Sequence, residues 1–365
     1  MQWQANHHYD LAFNLLEVGD FHEAKNQAII SSKYFHELKS PDSLAIALDI
    51  GSLVDLNLHN FEIAINQAEE SLKLRLEQKS PDLNISYNNL GEIYRIMGDS
   101  RKSIEYYEQA FKEAIKNNNI INEAIALNNL GIAYADIGNV EKSIEFFKRS
   151  QLKFAACNVF DIECSLDYAN TLLKSDSPYE VLKILTTTQE HIRQNKSNRN
   201  LARFHLVAGK VHIQLRNLNL ALSHLTNVNQ IAEFNEFPLI SIETKIKLIE
   251  VALLYASIDG KKTWLEKAQD WLKKAEILVI EIKKSQLLLE INFLKALLSK
   301  EEGEINNATK ILNQIKKNDS INNYPEIKER TENLIQIISN SEVNNDKFNI
   351  FLYLDKISQL VETVR

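Results

Sequence analysis

Two pairs of adjacent asparagines, Asn88 with Asn89 and Asn128 with Asn129, recur 40 residues apart in the chain. Each side-chain amide offers one acceptor and two donors, which complements the hydrogen-bonding groups of a peptide unit. A row of such amides is able to bind the backbone of an extended peptide, whatever side chains that peptide carries. The alternative is that these side chains cap helices or cross-link neighbouring helices, a common structural use of asparagine.

Other polar residues follow these pairs and complete the candidate set. Glu92 and Arg95 come about one helical turn after the first pair, and they are candidates for selecting the side chains of a bound segment. The candidate residues for binding a partner are Asn88, Asn89, Glu92, Arg95, Asn128, Asn129, Asp136 and Asn170.

Patterns that would support catalysis or metal binding are weak. His205 and His212 stand seven residues apart but match no common metal-binding motif, so core or capping roles are expected. Cys157 and Cys164 are too few for a disulfide framework, which favours a reducing compartment and inert thiols. Residues 259–263, Asp-Gly-Lys-Lys-Thr, lack the glycine that begins a phosphate-binding loop. The sequence therefore predicts no enzymatic activity, no cofactor and no metal.

The composition indicates a helical protein without a nucleic-acid surface. Of 365 residues, only 9 are glycine and 5 are proline, whereas 44% are hydrophobic. This leaves few turn residues for sheets or phosphate loops. The formal net charge of −7 argues against nucleic acid as the main partner. Because the N-terminus lacks the features of a signal peptide and no apolar run is long enough to cross a membrane, a cytoplasmic protein is expected.

The chain repeats itself with a period close to 40 residues. Residues 85–99 and 125–139 align without a gap at an offset of 40. Apolar residues recur at helical spacing, so each repeat is predicted to be a pair of antiparallel helices. Short turns between paired helices are predicted near Gly19, His59, Gly98, Gly138, Asp176, Arg216, Thr263 and Gly303. The predicted units cover residues 5–40, 41–80, 81–120, 121–160, 161–199, 200–238, 239–285 and 286–320, followed by a helix over 325–340.

Two of these repeats resemble the tetratricopeptide repeat (TPR). The matching residues are Leu90, Gly91, Tyr94, Gly98, Ser103, Tyr107 and Ala110, and then Leu130, Gly131, Tyr134, Gly138, Ser143, Phe147 and Ser150. Because the usual repeat has about 34 residues, the longer period is similar to kinesin light chain, Pins-type adaptors and bacterial Rap-type regulators. The resemblance implies an all-α, right-handed superhelical solenoid of about eight helix pairs. It also implies that the paired asparagines lie on the concave surface.

The last 20 residues depart from the repeat. Ile350, Leu354, Ile357, Val361 and Val364 recur in steps of four and three, which predicts an amphipathic helix over residues 346–365. Such a helix would cap the solenoid or form the seam of a homodimer. A third alternative is that it once led into an effector domain.

The resemblance favours a non-enzymatic scaffold or adaptor that holds a protein or peptide segment in its concave groove, in intracellular signalling or regulation. The alternative is a sensory arm whose bound peptide or protein switches an effector outside this chain, such as a kinase, a cyclase or a transcription factor. The two hypotheses share the same predicted groove and differ in what binding does.

Overall fold

The computed structural model describes residues 1–195, 197–235, 237–259, 262–282 and 285–344. In this part of the chain every regular element is a helix, and the helices follow one another as antiparallel pairs. The predicted all-α fold of about eight helix pairs is therefore confirmed. The helix predicted over residues 346–365, together with its proposed capping or dimer-forming role, lies outside the described residues.

The described helices form two compact units, and each is described by itself. The first unit contains five helix pairs. Its helices are α1 (Gln2–Val18), α2 (Phe21–Glu37), α3 (Pro41–Asn57), α4 (Phe61–Gln78), α5 (Leu83–Met97), α6 (Ser100–Lys116), α7 (Ile120–Asp136), α8 (Val140–Ala156), α9 (Ile162–Lys174) and α10 (Pro178–Asn195).

The second unit contains three helix pairs and one further helix. Its helices are α11 (Asn198–Gln214), α12 (Leu218–Phe234), α13 (Pro238–Asp259), α14 (Lys262–Ile282), α15 (Ser285–Glu301), α16 (Ile305–Lys316) and α17 (Pro325–Asn344). A short 3-10 helix, Asp319–Asn323, separates α16 from α17. None of the helices described in either unit combines the length and hydropathy needed to cross a bilayer.

The turns within the helix pairs use the left-handed backbone conformation. Positive φ angles occur at Gly19, His59, Gly98, Gly138, Asp176, Arg216 and Gly303, which are seven of the eight predicted turn positions. The eighth turn was predicted near Thr263, and α14 begins one residue before it, at Lys262.

Small residues let the two helices of a pair approach closely. A side chain at Gly91 would place its Cβ 2.6 Å from the ring of Tyr107, and one at Gly131 would lie 3.0 Å from Phe147. Alanines that follow five of the turns are also inaccessible to solvent. They are Ala24, Ala64, Ala221, Ala268 and Ala308.

Aromatic residues repeat with the period of the chain. The rings of Tyr94 and Tyr106 stack with centroids 5.4 Å apart, and those of Tyr134 and Phe146 stack at 5.3 Å. The rings that cover Gly91 and Gly131 are those of Tyr107 and Phe147, the residues that follow these stacked partners in the chain.

Candidate functional site

The odd-numbered helices of the first unit form an inner layer. Consecutive members of the series α1, α3, α5, α7 and α9 pack against one another, whereas the even-numbered helices pack closely only against odd-numbered ones. Every candidate residue lies on this inner layer: α5 carries Asn88, Asn89, Glu92 and Arg95, α7 carries Asn128, Asn129 and Asp136, and α9 carries Asn170. The structure therefore brings seven of the eight candidates onto two adjacent helices.

The four paired asparagines are half-buried, and they differ in their hydrogen bonds. Asn129 donates from Nδ2 to Oδ1 of Asn88 at 3.2 Å, which joins α7 to α5. By contrast, Nδ2 of Asn89 and Oδ1 of Asn128 are buried and have no hydrogen-bond partner. Polar atoms in this situation are uncommon in folded proteins and call for an explanation.

Arg95 links the same two helices through carboxylates. Its Nε and Nη2 donate to both carboxylate oxygens of Glu92 at 2.8 and 2.7 Å, and its Nη1 donates to Oδ2 of Asp136 at 3.0 Å. Burial lowers the pKa of Arg95, but Glu92 and Asp136 outweigh burial and raise this pKa well above its usual value. The group therefore holds one fixed positive charge between two carboxylates.

Tyr107 of α6 completes this group from the outer layer. Its hydroxyl donates to Oε2 of Glu92 at 2.8 Å. Burial, followed by the charge of Glu92, raises the pKa of Tyr107 well above its usual value. The phenol therefore stays neutral and acts as a hydrogen-bond donor that orients Glu92.

Asp49, which was not among the predicted residues, lies on α3 one 40-residue repeat before Asn89. Asp49 is buried and accepts hydrogen bonds from Nη2 of Arg75 at 2.5 Å and from Oγ of Ser71 at 2.7 Å. Burial raises the pKa of Asp49, while Arg75, Ser71 and Asn89 lower it. The Asn89 amide therefore lies close to this carboxyl group, although its Nδ2 falls short of a hydrogen bond. The 40-residue offset was the signal that could have identified Asp49.

Two exposed isoleucines flank the asparagines and were also missed. Ile85 is 37% exposed and Ile125 is 38% exposed. Each lies three residues before an asparagine pair, so it is on the same side of its helix. The inner layer thus alternates apolar side chains with amides, an arrangement suited to an extended chain that has both side chains and polar backbone groups.

The histidines singled out in the sequence lie in the second unit. His205 and His212 lie on α11, and His224 of α12 lies near both, with Nδ1 of His224 2.8 Å from Nδ1 of His205. Burial lowers the pKa of all three, that of His224 to about 4. Among the described residues, no group of three or more His, Cys, Asp or Glu side chains could hold a metal ion.

The cysteines are buried to different extents. Cys164, in the first turn of α9, is buried, whereas Cys157 is partly exposed. Burial raises the pKa of Cys164 to about 12, and the hydroxyl of Ser150, whose Oγ lies 3.4 Å from Sγ, only partly offsets that effect. A thiol with so high a pKa is a poor nucleophile near neutral pH.

Comparisons with known proteins agree with this fold. Residues 82–151 match the family model described as tetratricopeptide repeat. The predicted resemblance is therefore confirmed, and the α5/α6 and α7/α8 pairs are tetratricopeptide repeats. A search among curated proteins found no match to the chain.

Several solved structures share the arrangement of helices. A Rap protein complexed with the competence and sporulation factor is 14% identical, covers 100% of both chains and has a TM-score of 0.67. NprR in complex with its cognate peptide NprX is 14% identical, covers 98% of this chain and 99% of that one, and has a TM-score of 0.60. The apo form of the quorum sensor NprR from B. thuringiensis is also 14% identical, with coverage of 92% and 98% and a TM-score of 0.53. At this level of identity the similarity concerns the fold.

Proposed function

We propose that this protein binds an extended segment of a peptide or protein on the inner layer of its first unit, along α5 and α7. The observation that carries the proposal is the set of four asparagine amides on α5 and α7, in which each pair follows an exposed isoleucine, Ile85 or Ile125, by one helical turn. Amides that pair with a ligand's backbone supply affinity, and apolar positions beside them accommodate its side chains. The proposed role is binding rather than catalysis.

The unpaired amide atoms support this proposal. Nδ2 of Asn89 and Oδ1 of Asn128 are a donor and an acceptor without hydrogen-bond partners, on the two helices that carry the proposed surface. The two similar structures that contain a ligand also support it, since one holds the competence and sporulation factor and the other holds the peptide NprX.

One observation favours a ligand-responsive arm over a passive scaffold. The Asn88–Asn129 hydrogen bond and the Arg95–Asp136 ion pair join two consecutive repeats through residues that we assign to the binding surface. A ligand that forms hydrogen bonds with these side chains in place of their present partners therefore changes the contacts between α5 and α7. Binding and the relative position of the two repeats are then coupled, which is what a signalling role requires.

Selection from a random peptide library on the full-length protein, followed by fluorescence anisotropy with the selected peptides, tests the proposal. The Asn89→Ala/Asn129→Ala double variant deletes two side chains that each make one or two ligand hydrogen bonds of about 0.5–1.5 kcal/mol. We expect its affinity to fall by roughly fivefold to several hundredfold. The matched control is Asn26→Ala/Asn66→Ala, which removes two exposed amides from the outer helices α2 and α4.

Thermal melts separate binding from folding. Tyr94→Ala, at a buried and stacked position, should lower stability by about 3–5 kcal/mol. The asparagine double variant should lose much less, because its side chains are partly solvated. If it unfolds as readily as Tyr94→Ala, or if it binds the selected peptides as well as the control does, the inner layer is not the binding surface.

A further inference from the structure

Three helix pairs place two stacked rings at the same positions of the repeat. One ring lies four residues before the left-handed turn residue, and the other lies eight residues after it. The ring pairs are Tyr94 with Tyr106, Tyr134 with Phe146, and His212 with His224, with centroids 5.4, 5.3 and 5.6 Å apart. Stacked rings at these positions are therefore a recurring feature of the packing within helix pairs.

The α3/α4 pair has no ring at either position. Its left-handed turn residue is His59, so the equivalent residues are Asp55 and Gln67. A cavity of about 140 Å³ lies between α2, α3 and α4, and both of these residues line it. The cavity thus coincides with the positions at which the other pairs place stacked rings.

The lining of this cavity contains a polar atom without a partner. Oε1 of Gln67 is buried and has no hydrogen-bond partner. Gly51 makes room for this amide, because a Cβ on Gly51 would lie 3.2 Å from Oε1. Asp55, by contrast, accepts hydrogen bonds from Nζ of Lys25 at 2.6 Å and from Nδ2 of Asn60 at 2.8 Å. The cavity therefore offers one unpartnered acceptor beside a carboxylate that is already paired.

The size and the apolar walls of the cavity suit one small ring. An apolar cavity of about 150 Å³ holds a benzene molecule, so a volume of about 140 Å³ is close to that of a single six-membered ring. Ala28 and Leu48 are buried and provide apolar walls, whereas Ile29 is exposed. The lining thus extends from the core of this repeat to its surface.

From these observations we propose that the cavity between α2, α3 and α4 binds a small, neutral aromatic molecule that carries a hydrogen-bond donor, of which phenol is the simplest example. The ligand's ring occupies the space of the missing rings, and its hydroxyl donates to Oε1 of Gln67. A charged ligand is disfavoured, because Lys25 and Asp55 already pair with each other. Since other helices form this site, it does not depend on the peptide-binding surface proposed on α5 and α7.

Titrations of the full-length protein with phenol and with toluene, followed by ligand-observed NMR, test the proposal. The two compounds have the same number of non-hydrogen atoms, but only phenol is a hydrogen-bond donor. We expect saturable binding of phenol to the parent protein. In Gln67→Leu, which removes the acceptor and keeps an apolar side chain of similar size, phenol should bind roughly twofold to tenfold more weakly. Toluene should bind this variant at least as tightly as it binds the parent.

Two further variants serve as a control and as a block. Gln78→Leu makes the same substitution at an exposed position of α4 and should change neither affinity. Gln67→Phe restores a ring at one of the two positions and fills the cavity, so it should abolish the binding of both compounds. Thermal melts show whether each variant is folded, and Gln67→Leu decides the question if Gln67→Phe does not fold.

N-acetyltyrosinamide carries the same phenol on a peptide backbone, so it distinguishes a free ligand from the side chain of a partner protein. Because the cavity has the volume of one ring only, we expect this compound to bind more weakly than phenol. Tighter binding would assign the cavity to a tyrosine side chain and overturn the proposal of a free ligand.

Two other results would contradict the proposal. If phenol does not bind the folded parent protein saturably, the cavity is filled by water and is not a ligand site. If phenol binds the parent, Gln67→Leu and Gln67→Phe equally, it binds elsewhere on the molecule. Neither result bears on the asparagines, because the double variant Asn89→Ala/Asn129→Ala is expected to bind phenol like the parent.

Discussion

Asn129 on α7 donates a hydrogen bond of 3.2 Å to Asn88 on α5, although the two residues are 41 positions apart in the chain. The Arg95–Asp136 pair joins the same helices, also across 41 positions. Each contact thus connects a residue to the one just beyond its equivalent in the next repeat. Polar links of this kind set the register between neighbouring inner helices in the absence of a ligand.

A double-mutant cycle on Asn88 and Asn129 measures the strength of this link. We expect the single alanine variants to lower the free energy of unfolding and the double variant to lose less than their sum, with a coupling of about 0.5–1.5 kcal/mol. Chemical denaturation of the four proteins gives the value. Strict additivity would show that the two amides do not bond in solution.

The contact between Gly91 and Tyr107 predicts a steric effect of a single methyl group. In Gly91→Ala the new Cβ would lie 2.6 Å from the tyrosine ring, so the ring or the helix must move. We expect a loss of about 1–3 kcal/mol, as for other overpacked cores. In a Tyr107→Ala background the same change should cost little, because the obstructing ring is absent. An equal loss in both backgrounds would assign the effect to something other than this contact.

The repeat architecture could be predicted from the sequence because the two best repeats align without a gap. The turns were found even where the residue is His59, Asp176 or Arg216, since the period located them. Some outer helices are followed by a lysine or an asparagine with a positive φ angle. These positions were not predicted, because neither residue type identifies that backbone conformation in a sequence. They are Lys39, Lys79, Asn118 and Asn158.

The candidate site could be predicted only in part. The asparagines were identified because they recur at the period of the repeat, and the structure places them together on the inner layer. Their mutual contacts were not predictable, because a separation of 41 residues becomes contact only through the packing of successive helix pairs. Asp49 was overlooked because its carboxyl group breaks the amide pattern, even though it occupies the equivalent position.

The histidine group of the second unit predicts a loss of stability in acid. The pKa values of His205, His212 and His224 are lowered in the folded protein, that of His224 to about 4, so the unfolded chain binds protons more readily. Their contribution to stability is therefore complete above about pH 6.5, the usual histidine value, and is lost as the pH falls toward 4. The free energy of unfolding should therefore decrease as the pH is lowered from 7.5 to 5.

Replacing one histidine tests the origin of that decrease. His224→Gln should reduce the slope of the unfolding free energy against pH, because unfolding then takes up as much as one proton fewer. If this variant shows the same slope as the parent, the acid sensitivity has another source.

The buried ion pair between Asp49 and Arg75 predicts a large penalty when one partner is removed. Their side chains are only 7% and 3% exposed, and Ser71 also donates to Asp49. Arg75→Met would leave a carboxyl group buried without its main partner, so we expect a loss of about 3–5 kcal/mol in the free energy of unfolding. Since Asp49 lies on α3 and Arg75 on α4, unfolding of this repeat should be the first change seen by hydrogen exchange.

The double variant Asp49→Leu/Arg75→Met separates the cost of an unpaired charge from the cost of lost packing. Because it removes both charges together, we expect it to be more stable than Arg75→Met alone, even though it carries one more substitution. Arg101→Met is the matched surface control, since Arg101 is 90% exposed in its pair with Glu105, and it should cost less than about 0.5 kcal/mol. If Arg75→Met is as mild as Arg101→Met, the Asp49 carboxyl group is protonated or solvated in solution. The pair would then not hold the second repeat together beside the candidate site.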